Sequence, residues 1–165
     1  MQVKDTDAIE TRSAAETEAL AERLARVLPG GMLIALQGEL GAGKTVFVRG
    51  VARGLGVPAD VMVNSPTYVL QHIYRGGRLT LYHLDLYRLL CGAEEFEDSG
   101  LRECLDDCTG LVCVEWPERL ADFQWPADRI VVQLEHLNPQ RRRIVIRGTG
   151  PASQRALGVS GIQQR

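Results

Sequence analysis

The residues Gly38-Glu39-Leu40-Gly41-Ala42-Gly43-Lys44-Thr45 decide how the rest of the chain reads. They fit the pattern G-x-x-x-x-G-K-[ST], and each residue type meets a demand of polyphosphate binding. Phosphate oxygens need many donors at short range, and glycines let successive backbone N–H groups turn inward into an anion nest. A helix starting at about Gly43 adds the positive end of its dipole. Lys44 can reach the β- and γ-phosphates, and the Thr45 hydroxyl can take a place on Mg²⁺. The flanks agree. Met32-Leu33-Ile34-Ala35-Leu36 is a continuous apolar run, as a buried parallel strand requires. Val46, Phe47, Val51 and Leu55 then recur at helical spacing. Strand, glycine-rich loop and helix in that order make a P-loop. The expected fold class is therefore α/β, a P-loop NTPase fold with a mixed central sheet flanked by helices.

Upstream of this unit, residues 1–10 are polar and read as irregular. Ser13, with Glu16 three residues on, makes a capping box. Leu20, Leu24, Val27 and Leu28 give the helix that follows one apolar face, and it ends near Pro29-Gly30-Gly31. Downstream, the P-loop helix stops at Gly54-Leu55-Gly56, and Pro58 prevents its continuation. Asn64-Ser65-Pro66-Thr67 is either a turn or a segment in which Thr67 senses γ-phosphate or Mg²⁺. Tyr68–Tyr74 and Arg78–Leu84, separated by Gly76-Gly77, form a β-hairpin signal, which is why the sheet is expected to be mixed. Asp85 follows the second run, where its carboxylate can face phosphates, cap a helix or pair with Arg88.

Residues 92–108 read as an acidic helix, either a solvated face or a docking surface. Leu111-Val112-Cys113-Val114 then runs into Glu115-Trp116-Pro117-Glu118. Four apolar residues followed by an acid have the form of a Walker B strand, whose carboxylate holds Mg²⁺ or positions the attacking water. Trp116, next to that acid, reads as core packing or as a contact for nucleotide or partner. Ile130–Leu137 and Arg143–Arg147, joined by Asn138-Pro139-Gln140, read as two more strands. Arg141-Arg142-Arg143 reads as a charged edge strand rather than an RNA contact. From Gly148 onward the residues are polar and small, so residues 1–148 are expected to form one domain and 149–165 a disordered tail.

Bulk properties narrow the function. A chain of 165 residues suits one domain with a real core. A net charge of −2 gives no global attraction to nucleic acid or anionic membrane. No apolar run approaches the ~20 residues of a membrane span, and the first residues lack the apolar region of a signal peptide. The expectation is a cytoplasmic protein. Cys91, Cys104, Cys108 and Cys113 lack a firm metal-ligand spacing and read as ordinary reduced thiols.

Four blocks are now in hand: Gly38–Thr45, Ser65-Pro66-Thr67, His83-Leu84-Asp85-Leu86-Tyr87-Arg88 and Glu115-Trp116-Pro117-Glu118. In this order and spacing they closely resemble the TsaE family, over about Thr11 to Arg147. The resemblance implies a small bacterial ATPase needed for threonylcarbamoyladenosine at position 37 of tRNAs that read codons starting with A. It implies a TsaB–TsaD heterodimer as partner, with tRNA met only through that complex, and ATP and Mg²⁺ as cofactors. Carried over by position, Gly38 to Thr45 and Trp116 bind nucleotide, Asp85 and Glu115 are the site acids, and Thr45 and Glu115 hold the metal. Thr67 lies in a switch-like segment. Two other classes stand beside this one, a small-molecule kinase and a nucleotide-gated binding module without useful turnover. The chain has no clear arginine-rich lid, which a kinase of this size usually carries, and no N-K-x-D segment for guanine. Arg88 and Arg119 are candidate arginine fingers that the sequence does not place, so the isolated chain is expected to hydrolyse ATP weakly and its partners to activate it.

Overall fold

The computed structural model describes residues 8–89 and 93–162. In chain order the elements are β1 (Ala8–Thr11), α1 (Ala14–Ala25), β2 (Met32–Gln37), α2 (Lys44–Leu55), β3 (Gln71–Tyr74), β4 (Leu81–Asp85), α3 (Ala93–Asp98), α4 (Glu103–Asp106), β5 (Leu111–Glu115), β6 (Ile130–His136), β7 (Arg142–Gly148) and α5 (Pro151–Ser160), with a 3₁₀ turn over Pro117–Leu120. The strands form one seven-stranded sheet in the order β1-β7-β6-β2-β5-β4-β3. β2 pairs in parallel with both β5 and β6, and β4 in parallel with β5. Antiparallel pairs β3–β4, β6–β7 and β1–β7 extend the sheet on either side. The mixed sheet expected from the two hairpin signals is therefore present.

The parallel strands are apolar throughout because both their faces are covered. Ile34 and Leu36 point to one face, where Leu24, Phe47, Val51 and Leu157 complete a core under α1, α2 and α5. Leu33 and Ala35 point to the other, against Leu84, Phe96, Val114 and Leu120. Helix α1 lies tight on α2. A Cβ on Gly50 would run into the carbonyl oxygen of Glu18, and one on Gly54 into that of Glu22. These two glycines, one helical turn apart, let the two backbones approach. Ser13 caps α1 as expected, accepting from the Glu16 amide at 3.1 Å. Glu16 reaches back one residue further than in the usual box, to the amide of Arg12 at 2.7 Å.

The structure departs from the sequence reading in five places. Residues 8–11 are not irregular but form an edge strand on β7. The first hairpin pairs only as far as Tyr74 and Leu81, so its connection is longer than Gly76-Gly77. Arg78 explains this, because its amide bonds the Leu55 carbonyl at 2.6 Å and its guanidinium bonds the carbonyls of Ala25 and Leu28. The hairpin tip is thus tied to the C-terminal ends of α1 and α2, where a cation is favoured. The acidic stretch is two short helices rather than one, broken at Gly100, whose φ of 73° is left-handed. Residues 90–92, Cys91 among them, lie outside the described residues. Strand β7 is internal, between β1 and β6, so the arginine run is not on an edge.

The tail is the largest departure. Residues 151–160 are helical, and Ala156, Leu157 and Ile162 are buried in the main core. Pro151 stands in the first turn, where its missing N–H costs nothing. The cap comes from far away in sequence. Asp128 accepts from the amides of Ala152 and Ser153, at 2.7 and 3.0 Å. Among the described residues no helix is long and apolar enough to cross a membrane.

Candidate functional site

The register of the sheet brings the motifs to one edge. Asp85 and Glu115 are the last residues of neighbouring parallel strands and stand opposite each other. Glu115 also stands opposite Leu36, just before β2 enters the glycine-rich loop. The carboxyl ends of parallel strands are where α/β sheets place ligands. Within the loop, Gly41 and Gly43 have φ of 81° and 104°, conformations that side chains rarely adopt. Lys44 curls back over the loop. Its Nζ donates to the carbonyls of Gly38 and Glu39, at 2.5 and 3.0 Å. It also sits 3.9 Å from the centre of the Trp116 ring, a cation–π contact. Burial pulls the Lys44 ammonium below its ordinary range, opposed by the charges of Glu115, Glu118, Asp85 and Glu39.

Glu115 joins two motifs that are 70 residues apart. Its Oε1 accepts from the Thr45 hydroxyl at 2.8 Å and lies 2.8 Å from Nε2 of His83. A carboxylate only accepts, so Nε2 is the nitrogen that carries the hydrogen. His83 is wholly buried, and among the described residues its Nδ1 has no partner. Asp85 organises the other side. Its Oδ2 accepts from the hydroxyls of Ser65 and Thr67, both at 2.5 Å, while Oδ1 accepts from the Tyr87 amide at 3.0 Å. The Ser65-Pro66-Thr67 segment is thereby tethered to the strand end. Trp116 takes a left-handed conformation with φ of 60°, and its amide bonds the Leu36 carbonyl at 3.2 Å. That bend turns the indole toward Lys44 and Tyr87, whose ring centre is 5.0 Å away.

These groups surround one cleft of about 440 Å³, lined by Lys44, Thr45, Thr67, Asp85, Glu115 and Trp116 among others. Of the loop residues singled out from sequence, Leu40, Gly41 and Gly43 also line it. Gly38 and Glu39 do not, and act through the carbonyls that hold Lys44. Ala42 is buried in the core instead. Arg88 and Arg119 are not part of the lining. Arg88 stacks on Tyr68 at 4.3 Å, and Arg119 lies 5.4 Å from the ring centre of Tyr87. Sequence reasoning gave no role to His83, although it shares a face of β4 with Asp85 two residues on, and period two would have pointed to it. It also missed Arg142, a lining residue that is only 8% exposed.

Among the described residues no three His, Cys, Asp or Glu side chains cluster as a metal site. One carboxylate beside a threonine hydroxyl fits a hard cation shared with a polyanionic ligand, the usual manner of Mg²⁺. Fold and site together define an α/β protein with a glycine-rich strand-to-helix loop of the nucleotide-binding kind. The chain belongs to the TsaE family: residues 11–144 match the family model described as threonylcarbamoyl adenosine biosynthesis protein TsaE. A Treponema pallidum protein named tRNA threonylcarbamoyladenosine biosynthesis protein TsaE is 41% identical over 136 residues, 82% of this chain and 96% of that one. The Bacillus subtilis protein of the same name is 38% identical over 135 residues, 82% of this chain and 81% of its own. The fold also matches the crystal structure of YdiB from Bacillus subtilis, with a TM-score of 0.77 and 30% identity over 93% of each chain.

Proposed function

We propose that this chain binds and hydrolyses ATP with Mg²⁺ and serves the threonylcarbamoylation of adenosine 37 in tRNA as a cytoplasmic component working with a TsaB–TsaD heterodimer. The hydrogen bond between Thr45 and Glu115 carries the reading. It joins the start of the P-loop helix to the end of β5, the two positions between which a nucleotide-bound Mg²⁺ is held in enzymes of this kind. The names of the relatives supply the pathway, and the family resemblance supplies the partners.

The roles divide by chemistry. Gly41, Gly43 and the first turn of α2 offer backbone donors to phosphate, and Lys44 adds a point charge once it leaves the carbonyls of Gly38 and Glu39. Thr45 and Glu115 would hold Mg²⁺, which supplies charge neutralisation on the phosphates. His83 is a positioning residue that fixes the Glu115 carboxylate. Asp85 fixes Thr67 and Ser65 near the same point, so a ligand that draws on either hydroxyl also moves residues 65–67. The test is in two parts: titration calorimetry of the chain with Mg-ATP, and capture of purified TsaB and TsaD with and without ATP. Failure to bind ATP would overturn the site reading. Binding without capture would overturn the assignment of partners.

A further inference from the structure

We propose that Arg142 is a phosphate-binding residue of this cleft, gripping the phosphates that ATP and ADP share. The inference rests on the cleft being a nucleotide site. Three observations carry it. Arg142 is only 8% exposed, yet among the described residues no carboxylate pairs with it. Among the described residues its Nε is buried without a hydrogen-bond partner, and its Nη1 donates to the Gln140 carbonyl, at 3.2 Å. The side chain lies directly on the loop, since a Cβ placed on Gly43 would be 2.5 Å from that same Nε.

Buried charges in proteins are paired or hold a ligand. A guanidinium is planar and offers a fork of donors suited to phosphate. The neighbouring arginines have other work. Arg141 pairs with Glu10 at 2.7 Å, and Arg143 lies 3.9 Å from Glu135. Along a strand, alternate residues face opposite sides, so Arg142 alone of the three is turned to the loop. Position in the sheet then selects the phosphates. β7 lies on one side of β2, with β6 between them, whereas β5 and β4, which carry Glu115 and Asp85, lie on the other. The acids and the cation they attract therefore stand on one flank of the loop, and Arg142 stands on the opposite one, against the residue that caps α2. A group placed there meets the phosphates bound at the helix N-terminus, which remain after hydrolysis.

The test is calorimetric titration of wild-type chain, Arg142→Gln and Arg142→Lys with Mg-ADP and with Mg-ATP, alongside the melting temperature of each ligand-free protein. Arg142→Gln is expected to bind both nucleotides ~10- to 100-fold more weakly, the range for a lost charged hydrogen bond. Arg142→Lys keeps the stem and charge without the fork, and is expected to recover part of that loss for both nucleotides. Should the Gln variant fail to fold, the Lys variant still decides, because affinities equal to wild type would overturn the proposal. So would a loss confined to ATP, which would move the residue to the γ-phosphate. A wild type that binds neither nucleotide defeats the site reading itself, whereas a binding wild type with an equally binding Gln variant defeats this inference alone.

Discussion

Glu115 has more than one task, and its neighbours separate them. As an acceptor it holds Thr45 and His83, and as a charge it offsets part of the burial that weakens the Lys44 ammonium. Glu115→Gln and Asp85→Asn keep size and shape while removing charge. Both variants are expected to fold and bind ATP but to lose hydrolysis by ~10²-fold or more, the usual cost of removing one element of transition-state support. Single-turnover hydrolysis beside a binding titration checks this, and wild-type turnover in either variant removes that residue from the site. Thr45→Ala and Lys44→Ala should fail differently. The alanine at 45 should raise the Mg²⁺ concentration needed at fixed ATP, whereas the alanine at 44 should weaken ATP binding itself. An unchanged Mg²⁺ titration for the Thr45 variant would end its role as a ligand. Thr45 was legible in the sequence because it closes a motif of fixed spacing, and Glu115 because an acid ends the apolar run Leu111–Val114 downstream of that motif. Arg142 was not, because three arginines in a row look alike until the pairing of β7 with β1 and β6 fixes which one turns inward.

Helices show a second limit of legibility. The motif helix α2 announced itself through its apolar spacing, but the closeness of α1 did not, since Gly50 and Gly54 carry no signal of what lies against them. Gly50→Ala would push a methyl into the Glu18 carbonyl, with backbone on both sides and little room to yield. It is expected to destabilise by about 2 kcal/mol, the middle of the range for overpacking. Gly158→Ala, in α5 with nothing within 4 Å of the added Cβ, should instead stabilise by up to ~1 kcal/mol through helix propensity. Melting curves of the two variants give opposite signs if the packing is as described. α5 escaped sequence reading because its cap is Asp128, more than twenty residues upstream, and its apolar positions are few. Hydrogen bonds from Ser153 and the Ala152 amide hold the Asp128 carboxyl below the usual carboxylate range. A lowered folded-state pKa means its contribution is complete above ~3.9, the unfolded value, and is lost as pH falls through the folded one. Asp128→Ala is thus expected to lower the melting temperature at neutral pH and to converge with wild type in acid.

At the scale of the whole molecule, the site binds itself. Lys44 is held by its own loop, Thr45 by Glu115, and the 65–67 segment by Asp85, so ligand chemistry must compete with three internal arrangements. The cleft is bounded on one side by this tethered segment, and next to it the chain exposes Met62, Tyr68 and Val69, at 77, 82 and 61% of their surface. Leu40, at the tip of the glycine-rich loop, is 73% exposed as well. Of these, Leu40 and Tyr68 line the cleft itself, and exposed apolar side chains at the rim of a cleft suit a surface that another protein covers. Arg88 and Arg119 are stacked on aromatic rings rather than turned into the cleft, and Arg142 stands on the opposite flank of the loop from the acids. Enzymes of this class that do not present such a charge obtain it, or the order it requires, from a partner, at a gain of ~10³–10⁵ in rate. The isolated chain is therefore expected to be a poor ATPase and the TsaB–TsaD complex to accelerate it. Steady-state hydrolysis by the chain alone and then with saturating heterodimer is the measurement. A free chain already turning over at the ~10 s⁻¹ of ordinary enzymes, or a complex that adds nothing, would mean that the internal bonds yield to ATP unaided. A Tyr68→Ala variant should reduce the acceleration, because its ring, 82% exposed at the rim of the cleft, stands where a partner would meet it.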